Sequence, residues 1–587
     1  MIKTLKYLDK KDWLFVFLSL VFVFGTVYFE LEIPGYMAKI TTLVQTEGSV
    51  MNDVWSAGGM MLLSALGSLI CAIIVAFFAS NVAASMAHTL RDKVFDKTMS
   101  FSMEEMNRFS TSSLITRSTN DITQIQVFIA MGLQAIVKSP IMTFWAINKI
   151  LDKNWQWTAA TGGAVLIILV IVTIVITYAV PRFKKVQVLT DDLNHVTREN
   201  LTGLRVIRAY NAEDYQEDKF EKVSSKHANT HLYIGRIMSL IQPTITFVMS
   251  SITLAIYTIG AFLINAATGG AKFELFSEMV TFSSYAVQII MSFMLLIMIF
   301  ILFPRASVSA ARINEVLDTE PVVIDGNIND TNTELNGVVE FRNVSFQYPD
   351  ASAAILKNIN FIANKGETVA FIGSTGSGKS TLINLIPRFH DVTEGEILVD
   401  GINVKDYTQE ALRNKLGYAS QRAILFSGTI RSNINFGENG KPKANDQQMD
   451  LAMETAQGKE FVDSNPEKYD ASVSQGGMNF SGGQKQRISI ARAINRDAEI
   501  LLFDDSFSAL DYKTDKKVRE ALKKNVSGTT NLIVAQRIGT IKDADKIIVL
   551  DKGQIVGMGT HKELMQDCRI YQEIALSQLS EEELKHA

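Results

Sequence analysis

A glycine-rich segment at residues 373–381 carries the residue types that bind phosphate. It reads Gly-Ser-Thr-Gly-Ser-Gly-Lys-Ser-Thr, follows the strand-like run 368–372 and precedes an apolar helical stretch. Glycines let successive backbone N–H groups converge on phosphate oxygens, and the start of a helix adds a positive dipole end. We therefore predict a nucleotide site made by Gly373, Ser374, Thr375, Gly376, Ser377, Gly378, Lys379, Ser380 and Thr381.

Several side chains in and near this segment have predictable roles towards a nucleoside triphosphate and its metal ion. Lys379 is expected to reach the β- and γ-phosphates, and the Ser380 hydroxyl is expected to ligate Mg²⁺. The apolar run 500–503 ends in Asp504 and Asp505. A carboxylate at the end of a parallel strand beside such a loop holds Mg²⁺ directly or through water. The pattern thus predicts ATP and Mg²⁺ as ligands, with Asp504 as a metal-binding residue.

The elements that position these residues belong to one of two unlike halves of the 587-residue chain. Residues up to about 305 hold nearly all the long apolar runs, whereas the remainder alternates like a soluble α/β domain. The net charge of -4 offers no bulk attraction to nucleic acid, so no nucleic-acid partner is expected. Cys71 and Cys568 lie in different halves and predict neither a disulfide framework nor a metal site.

The first half contains six apolar runs of the length that crosses a bilayer, which takes roughly 20 residues. We place the spans at 13–33, 57–84, 124–147, 156–180, 240–265 and 277–303. Basic residues concentrate after spans two, four and six, and the positive-inside rule then puts both termini in the cytoplasm. Glu30 and Glu32 fall at the outer end of span one, where they mark the water interface or attract cationic compounds.

The connections 85–123 and 181–239 are too long for turns and carry apolar residues at helical spacing. We expect spans two to five to continue as helices below the membrane, with reversals around 108–113 and 202–205. The predicted domains are a transmembrane domain at 1–315, a linker at 316–336 rich in turn signals, and a nucleotide-binding domain at 337–587.

Residues 480–484, Phe-Ser-Gly-Gly-Gln, resemble the signature motif of ABC transporters. Other landmarks of that family occur in order: Tyr348 resembles the aromatic residue that stacks on adenine, Gln421 resembles the glutamine that contacts Mg²⁺, and residues 508–511 resemble the D-loop. Residues 199–214 resemble the connection whose short coupling helix docks on the partner's ATPase domain. The whole chain therefore resembles a half-transporter of the ABC exporters.

This resemblance implies a fold class and a shared site. The fold class is a membrane all-α six-helix domain with long cytoplasmic helix extensions, followed by an α/β P-loop ABC ATPase domain. In the family, the signature at a helix N-terminus caps the γ-phosphate bound by the other subunit, so two ATP molecules lie between two domains. The residues implied to contact the partner's nucleotide are Ser481, Gly482, Gly483, Gln484 and Asp511.

Two catalytic positions depart from the family pattern. Asp505 stands where hydrolytic members carry Glu, and the missing methylene places its carboxylate about 1.5 Å further from the attacking water. A misplacement near 1 Å costs on the order of 100-fold in rate. Gln536 stands where the family has its switch histidine, and an amide cannot carry the proton or charge of an imidazole. We expect this site to bind ATP but to hydrolyse it poorly.

The resulting interpretation is a subunit of an ATP-driven exporter, an ATPase coupled to transport in a bacterial plasma membrane. The pattern resembles the heterodimeric multidrug exporters of bacteria, so the expected partners are a second half-transporter, a small amphiphilic substrate and the lipid bilayer. Spans rich in Phe, Met and Ile suit adaptable apolar binding. A lipid or lipopeptide flippase and an ATP-gated channel or regulatory subunit are the alternatives.

Overall fold

The computed structural model describes residues 2–46, 48–151, 153–329, 335–349 and 351–578, which fall into two units. The first unit comprises Met1–Met99 and Thr111–Thr319, and the second comprises Ser100–Ser110 and Glu320–Ala587. The second unit thus includes a short segment from the region predicted as the membrane domain. Within the predicted linker, residues 330–334 lie outside the described residues, and Ile328 forms a parallel bridge to Tyr407.

The helical part of the chain runs from residue 2 to residue 318. Its helices are α1 (Ile2–Leu5), α2 (Lys10–Gln45), α3 (Met51–Met99), α4 (Met103–Phe109), α5 (Thr111–Thr116), α6 (Ile122–Leu151), α7 (Trp155–Thr202), α8 (Leu204–Ala209), α9 (Glu213–Ser239), α10 (Ile241–Ala266) and α11 (Ala271–Asp318). A π-helical turn at Arg117–Asp121 joins α5 to α6. Six described segments are long and apolar enough to cross a membrane: Lys10–Gln45, Met51–Met99, Thr111–Leu151, Trp155–Val175, Glu213–Ala266 and Ala271–Asp318.

These helices are much longer than a bilayer requires. Helix α3 has 49 residues, which at 1.5 Å per residue is roughly 70 Å, more than twice the ~30 Å of hydrocarbon. The breaks fall inside the two stretches expected to hold reversals: Ser110, with φ 57°, separates α4 from α5, and Gly203 separates α7 from α8. The predicted six-helix fold class with long helix extensions is therefore confirmed.

The spans pack through apolar side chains and a few buried hydrogen bonds. The core of the first unit includes Leu31, Trp157 and Phe282, all almost fully buried. The Trp157 indole N–H donates to the carbonyl oxygen of Ile256 at 3.1 Å, and the Tyr285 hydroxyl donates to that of Leu31 at 3.0 Å. An apolar helix bundle tolerates buried polar groups when they are hydrogen-bonded, as these two are.

Segment Ser100–Ser110 belongs to the second unit, and two of its side chains, Glu105 and Phe109, are buried. Glu105 is 3% exposed, and its Oε1 accepts a hydrogen bond from the backbone N–H of Val322 at 3.0 Å. Its other oxygen accepts from Ser102, whose side chain caps α4. Burial alone raises the pKa of Glu105, but these hydrogen bonds outweigh it and hold that pKa below its ordinary value.

The second unit contains two main sheets. The strands are β1 (Val339–Phe346), β2 (Leu356–Ala363), β3 (Thr368–Gly373), β4 (Glu394–Val399), β5 (Ile402–Asn403), β6 (Leu416–Ala419), β7 (Gly428–Thr429), β8 (Ser472–Val473), β9 (Ile500–Asp504), β10 (Thr530–Val534), β11 (Lys546–Asp551) and β12 (Gln554–Gly559). A six-stranded sheet has the order β12-β11-β3-β10-β9-β6, and a four-stranded antiparallel sheet has the order β2-β1-β4-β5. Strands β7 and β8 form a small antiparallel pair.

The second unit also contains the helices that cover its six-stranded sheet. They are α12 (Lys379–Leu385), α13 (Gln409–Asn414), α14 (Ile430–Ile434), α15 (Asp446–Thr455), α16 (Lys459–Asp463), α17 (Gly482–Asn495), α18 (Tyr512–Asn525), α19 (Ile538–Ile541), α20 (His561–Asp567) and α21 (Arg569–Leu576). Strands β9 and β10 are buried at every position, as expected of parallel strands covered on both faces.

Side chains of the central strands alternate between two cores. Along β3, Ala370 and Ile372 enter one core, whereas Val369 and Phe371 enter the other. Strand β10 lies between β3 and β9 and runs parallel to both, with Val534 beside Phe371 and Asp504. The carboxyl ends of these three strands therefore meet at one edge of the sheet, where the loops that follow them build the site.

Candidate functional site

The phosphate-binding loop needs glycine for steric reasons at two points. Gly373 ends β3, and a Cβ atom there would collide with the carbonyl oxygen of Leu550 on the neighbouring strand. Gly378 precedes α12 with φ 98°, a conformation that other residues rarely adopt. These glycines allow the loop to turn sharply from the strand into the first turn of α12.

Lys379 is buried at the start of α12, with 9% of its surface exposed. Its Nζ donates to the carbonyl oxygens of Gly373 at 2.9 Å and Ser374 at 2.8 Å. Burial lowers the pKa of Lys379, and the charges of Asp505 and Asp504 oppose that shift. The amine is thus held inside the loop, where phosphate oxygens can take the place of the carbonyl acceptors.

Ser380 and Asp504 lie together, as expected of two ligands to one metal ion. The Ser380 hydroxyl donates to Asp504 Oδ1 at 2.7 Å. Burial raises the pKa of Asp504, and the neighbouring charge of Asp505 raises it further. A divalent cation offsets such a cost, and a hydroxyl beside a carboxylate is the type of oxygen donor set that Mg²⁺ takes. The residues present therefore fit a magnesium ion.

Two predicted site residues on separate loops, Gln421 and Gln536, both form hydrogen bonds to Asp505. Its Oδ2 accepts hydrogen bonds from Gln421 Nε2 at 3.2 Å and from Gln536 Nε2 at 2.7 Å. The Asp505 backbone has φ 48°, and its carbonyl oxygen accepts from the Ser508 hydroxyl at 2.8 Å. Burial raises the pKa of Asp505, while the two amide donors lower it. One carboxylate oxygen is thus held by two neutral amides.

Tyr348 is fixed beside the loop by two aromatic neighbours. Its ring lies 4.8 Å from that of Phe346 and 5.3 Å from that of His390, nearly perpendicular to both. Its hydroxyl lies 3.4 Å from Thr381 Oγ1. Edge-to-face packing of this kind restricts the ring and leaves it next to the first turn of α12.

A cavity opens at this edge of the sheet and contains most of the predicted nucleotide-binding residues. Its wall is formed by Thr375, Gly376, Gly378, Lys379, Ser380, Thr381, Gln421, Asp505 and Gln536, together with Ile355 and Val534. Ile355 and Val534 add apolar surface that the sequence pattern does not identify. They precede β2 and end β10, and neither position carries a motif.

The signature residues lie at the start of a different helix. Ser481 Oγ accepts from the Gln484 backbone N–H at 3.3 Å, and Gln484 Oε1 accepts from the Ser481 N–H at 2.8 Å, forming a capping box before α17. Ser481 and Gly482 are exposed, and a Cβ atom on Gly482 would meet no described atom within 4 Å. None of the signature residues lines the cavity described above.

Asp511 caps a helix of its own chain. Its carboxylate accepts from the backbone N–H of Thr514 at 3.0 Å and from the Thr514 hydroxyl at 2.7 Å, at the start of α18. These hydrogen bonds lower the pKa of Asp511, which is exposed. Asp511 and the signature residues are therefore placed on the surface rather than in the P-loop cavity.

Gln578 was not predicted as a site residue. It forms hydrogen bonds to the backbone of the switch segment, which we define as residues 536–538. Its Oε1 accepts from the Ile538 N–H at 2.8 Å, and its Nε2 donates to the carbonyl oxygen of Gln536 at 2.8 Å. Gln578 lies 42 positions after Gln536. No motif marks a glutamine just beyond α21, so only the folded structure reveals this contact.

We predict that Gln578→Ala loosens the switch segment. Loss of two hydrogen bonds, each contributing about 1 kcal/mol, should speed amide exchange at Ile538 by about tenfold and weaken ATP binding several-fold. Hydrogen exchange and a fluorescent-nucleotide titration measure the two effects. Gln572→Ala is the matched control, because Gln572 on α21 also makes two hydrogen bonds to the backbone, both as a donor, to the carbonyl oxygens of Met565 and Gln566. An equal effect of that control would indicate general destabilisation instead.

Known families match both parts of the chain. The ABC transporter transmembrane region family matches residues 16–293, and the ABC transporter family of ATP-binding domains matches residues 356–508. An uncharacterized ABC transporter ATP-binding protein of Mycobacterium tuberculosis is 36% identical over 92% of this chain and 93% of its own. A protein of the same description from Bacillus subtilis is 34% identical over 96% of both chains.

Two more distant matches are a protein named as a flippase and a solved structure. An ATP-dependent lipid A-core flippase of Pseudomonas aeruginosa is 31% identical over 83% of this chain and 79% of its own. The solved structure of a bacterial Atm1-family ABC exporter with ATP bound shares the fold, with a TM-score of 0.80 at 24% identity over 97% of this chain and 99% of that one. The chain therefore belongs to the ABC transporters, as a multi-pass half-transporter with an exporter fold that joins a membrane region of six candidate spans to a transport-coupled ATPase domain.

Proposed function

We propose that this chain is the subunit with the hydrolytically impaired site in a heterodimeric ABC exporter of drugs or other amphiphiles. The observation that carries the proposal is the shared hydrogen bonding of Asp505. Its Oδ2 accepts from both Gln421 and Gln536, the latter at 2.7 Å. A residue that activates water must reach that water with a free acceptor, and this carboxylate is one methylene short and has one of its two oxygens engaged by both amides.

Gln536 adds a second handicap at the same carboxylate. Its amide holds Asp505 in place, but it has no proton to exchange near neutral pH. A histidine there would add a group that titrates in the physiological range. Both catalytic positions therefore support binding geometry better than they support proton transfer, which argues for a site that holds ATP and turns it over slowly.

ATP and Mg²⁺ are still expected at this site. Lys379 is held for phosphate contact, Tyr348 lies beside the loop for stacking on adenine, and Ser380 and Asp504 are adjacent oxygen donors for Mg²⁺. Because Gln421 donates its amide nitrogen to Asp505, its Oε1 is the atom left to face the metal ion. Bound magnesium would supply charge neutralisation for the β- and γ-phosphates.

The partner is proposed to be a second half-transporter with a competent site. The signature of this chain is an intact capping box on an exposed helix N-terminus, a favourable place for phosphate. Ser481, Gly482, Gly483, Gln484 and Asp511 are proposed to contact the partner's ATP. Most ATPase activity would then occur at the partner's P-loop, completed by the signature of this chain.

The proposed location is a bacterial plasma membrane with both termini in the cytoplasm, as the distribution of basic residues indicates. A lipid or lipopeptide flippase is the second candidate function. The 31% identity to lipid A-core flippases over 83% of the chain favours it. Either function requires an amphiphilic substrate, so the two differ in the headgroup that the membrane region accepts.

The proposal is tested by purifying the chain alone and together with a half-transporter that carries Glu and His at the two altered positions. The chain alone should show little ATPase activity in nanodiscs, whereas the pair should hydrolyse ATP and export a fluorescent amphiphile from vesicles. Replacing the partner's P-loop lysine should abolish both activities. Vigorous ATPase activity coupled to transport by the chain alone would refute the proposal.

A further inference from the structure

An ion pair within the membrane spans links two helices. Glu30 on α2 and Lys138 on α6 approach to 2.8 Å, and 27% of each side chain is exposed. The Ser68 hydroxyl on α3 donates to Glu30 Oε1 at 3.4 Å, and Gln288 Nε2 on α11 donates to the carbonyl oxygen of Glu30 at 3.2 Å. Four helices thus bring polar groups to one point.

This point lies deep within the predicted spans. Ser68 and Gln288 are each about eleven residues inside spans 57–84 and 277–303, which at 1.5 Å per residue is roughly 16 Å from the span end. That depth is close to the middle of ~30 Å of hydrocarbon. Glu30 is three residues from the predicted end of span 13–33, but α2 continues to Gln45, so Glu30 lies beside these inner residues and not at the end of its helix. Charged residues at such depth are costly and are retained mostly for function.

Both charged groups keep hydrogen-bonding capacity for a ligand. The two donors that the described residues supply to the Glu30 carboxylate, Lys138 and Ser68, both reach Oε1. Within the same described ranges, Oε2 accepts no hydrogen bond and is not among the buried, unsatisfied atoms. The Lys138 ammonium has three N–H groups and donates to Glu30 at 2.8 Å. A ligand can therefore bind to both groups without breaking the pair.

We propose that Glu30 and Lys138 form the headgroup site for a zwitterionic amphiphile. The ammonium group of the ligand contacts Glu30 Oε2, and its phosphate or carboxylate accepts from Lys138. A cationic ligand is attracted by one member of the pair and repelled by the other, whereas an antiparallel zwitterion is attracted by both. This inference rests on the proposed transport of amphiphiles and specifies their charge class.

The chain offers a matched control pair. Glu32 and Lys149 join the same two helices at 3.2 Å, with 29% and 40% of their side chains exposed. Lys149 lies just beyond the predicted third span, whereas Glu32 is only two residues, or about 3 Å of helix rise, from Glu30. The control pair shares the residue types and the two helices of the proposed site, but among the described residues its carboxylate accepts hydrogen bonds from Lys149 and not from α3 or α11.

Binding is tested by equilibrium dialysis of the full-length chain in nanodiscs, without ATP or partner. The probes share one twelve-carbon tail: dodecylphosphocholine, dodecyltrimethylammonium and dodecyl phosphate. The wild type should bind the zwitterion about tenfold more tightly than either of the others, the ratio expected for one added charge-assisted contact. Glu30→Gln should shift preference to the anion and Lys138→Gln to the cation. Glu32→Gln and Lys149→Gln should leave the preference unchanged.

Equal affinity of the wild type for all three probes would overturn the inference, as would the same shifts in the control variants. The double variant Glu30→Gln with Lys138→Gln leaves no unpaired charge and covers the case in which a single variant fails to fold. It should bind all three probes equally, and a persistent preference for the zwitterion would also overturn the inference. These binding measurements do not depend on ATP hydrolysis. A negative result would therefore refute the headgroup site and leave the proposed difference between the two ATPase sites untouched.

Discussion

Replacing Asp505 by Glu and Gln536 by His in the same chain should raise its ATPase rate by about 100-fold, the penalty associated with a misplacement near 1 Å. The longer carboxylate would extend towards the γ-phosphate, and the imidazole could carry charge in the transition state. In a dimer of this chain the P-loop of one copy would face the signature of the other, whose capping box is intact. The measurement is the ATPase rate of the purified, dimeric double variant in nanodiscs.

The single replacements separate the two contributions. Asp505→Glu alone should give only a partial rise, of about tenfold, because Gln536 remains without a titratable group. The control is Lys379→Ala in the double-variant background, which should return activity to background by removing the phosphate contact. A double variant that is dimeric and binds ATP but hydrolyses no faster than the wild type would contradict the explanation based on Asp505 and Gln536.

Gly482→Asp should reduce the ATPase rate of the assembled heterodimer by about 100-fold, the effect of losing one well-placed donor to an anionic transition state. A carboxylate at the N-terminus of α17 would repel the partner's γ-phosphate. The change should disturb the chain itself little, because Gly482 is exposed and a Cβ atom there meets no described atom within 4 Å. Steady-state ATP hydrolysis by the purified pair measures the effect.

Lys379→Ala supplies the comparison for that result. It removes the phosphate contact at the impaired site, so the heterodimer should lose only a few-fold in rate. The milder Gly482→Ala, which adds a methyl group without charge, should fall between the two. Equal losses for Lys379→Ala and Gly482→Asp would mean that both sites hydrolyse ATP at similar rates, and the proposed asymmetry would be wrong.

The parts of the fold and site that are predictable from sequence are those with a local signal. The P-loop and Asp504 are recognisable because a strand, a glycine-rich turn and a helix follow one another, and because parallel strands end at a common edge. The spans are recognisable from apolar runs. The common contact of Gln421 and Gln536 with Asp505 is not encoded locally, since 84 and 31 positions separate the partners.

Other features depend on contacts that no periodicity reveals. Glu30 follows an apolar run, so its pattern suggests a span end, but Lys138 lies 108 positions later on another helix. Residues 100–110 follow a membrane helix and read as part of its domain, yet Glu105 is buried against Val322. In both cases the burial of a charged group depends on a partner that is distant in sequence.

The assignment of Ser100–Ser110 to the second unit has a consequence for biosynthesis. This segment leaves the ribosome about 200 residues before Glu320, which at ~5–20 residues per second is a delay of roughly 10–40 s. During that interval Glu105, which is buried in the finished protein, lacks the backbone N–H of Val322 that donates to it there. The second unit consequently cannot fold completely from one continuous segment of the nascent chain. A fragment expressed from Glu320 onwards would lack Ser100–Ser110, which belongs to that unit.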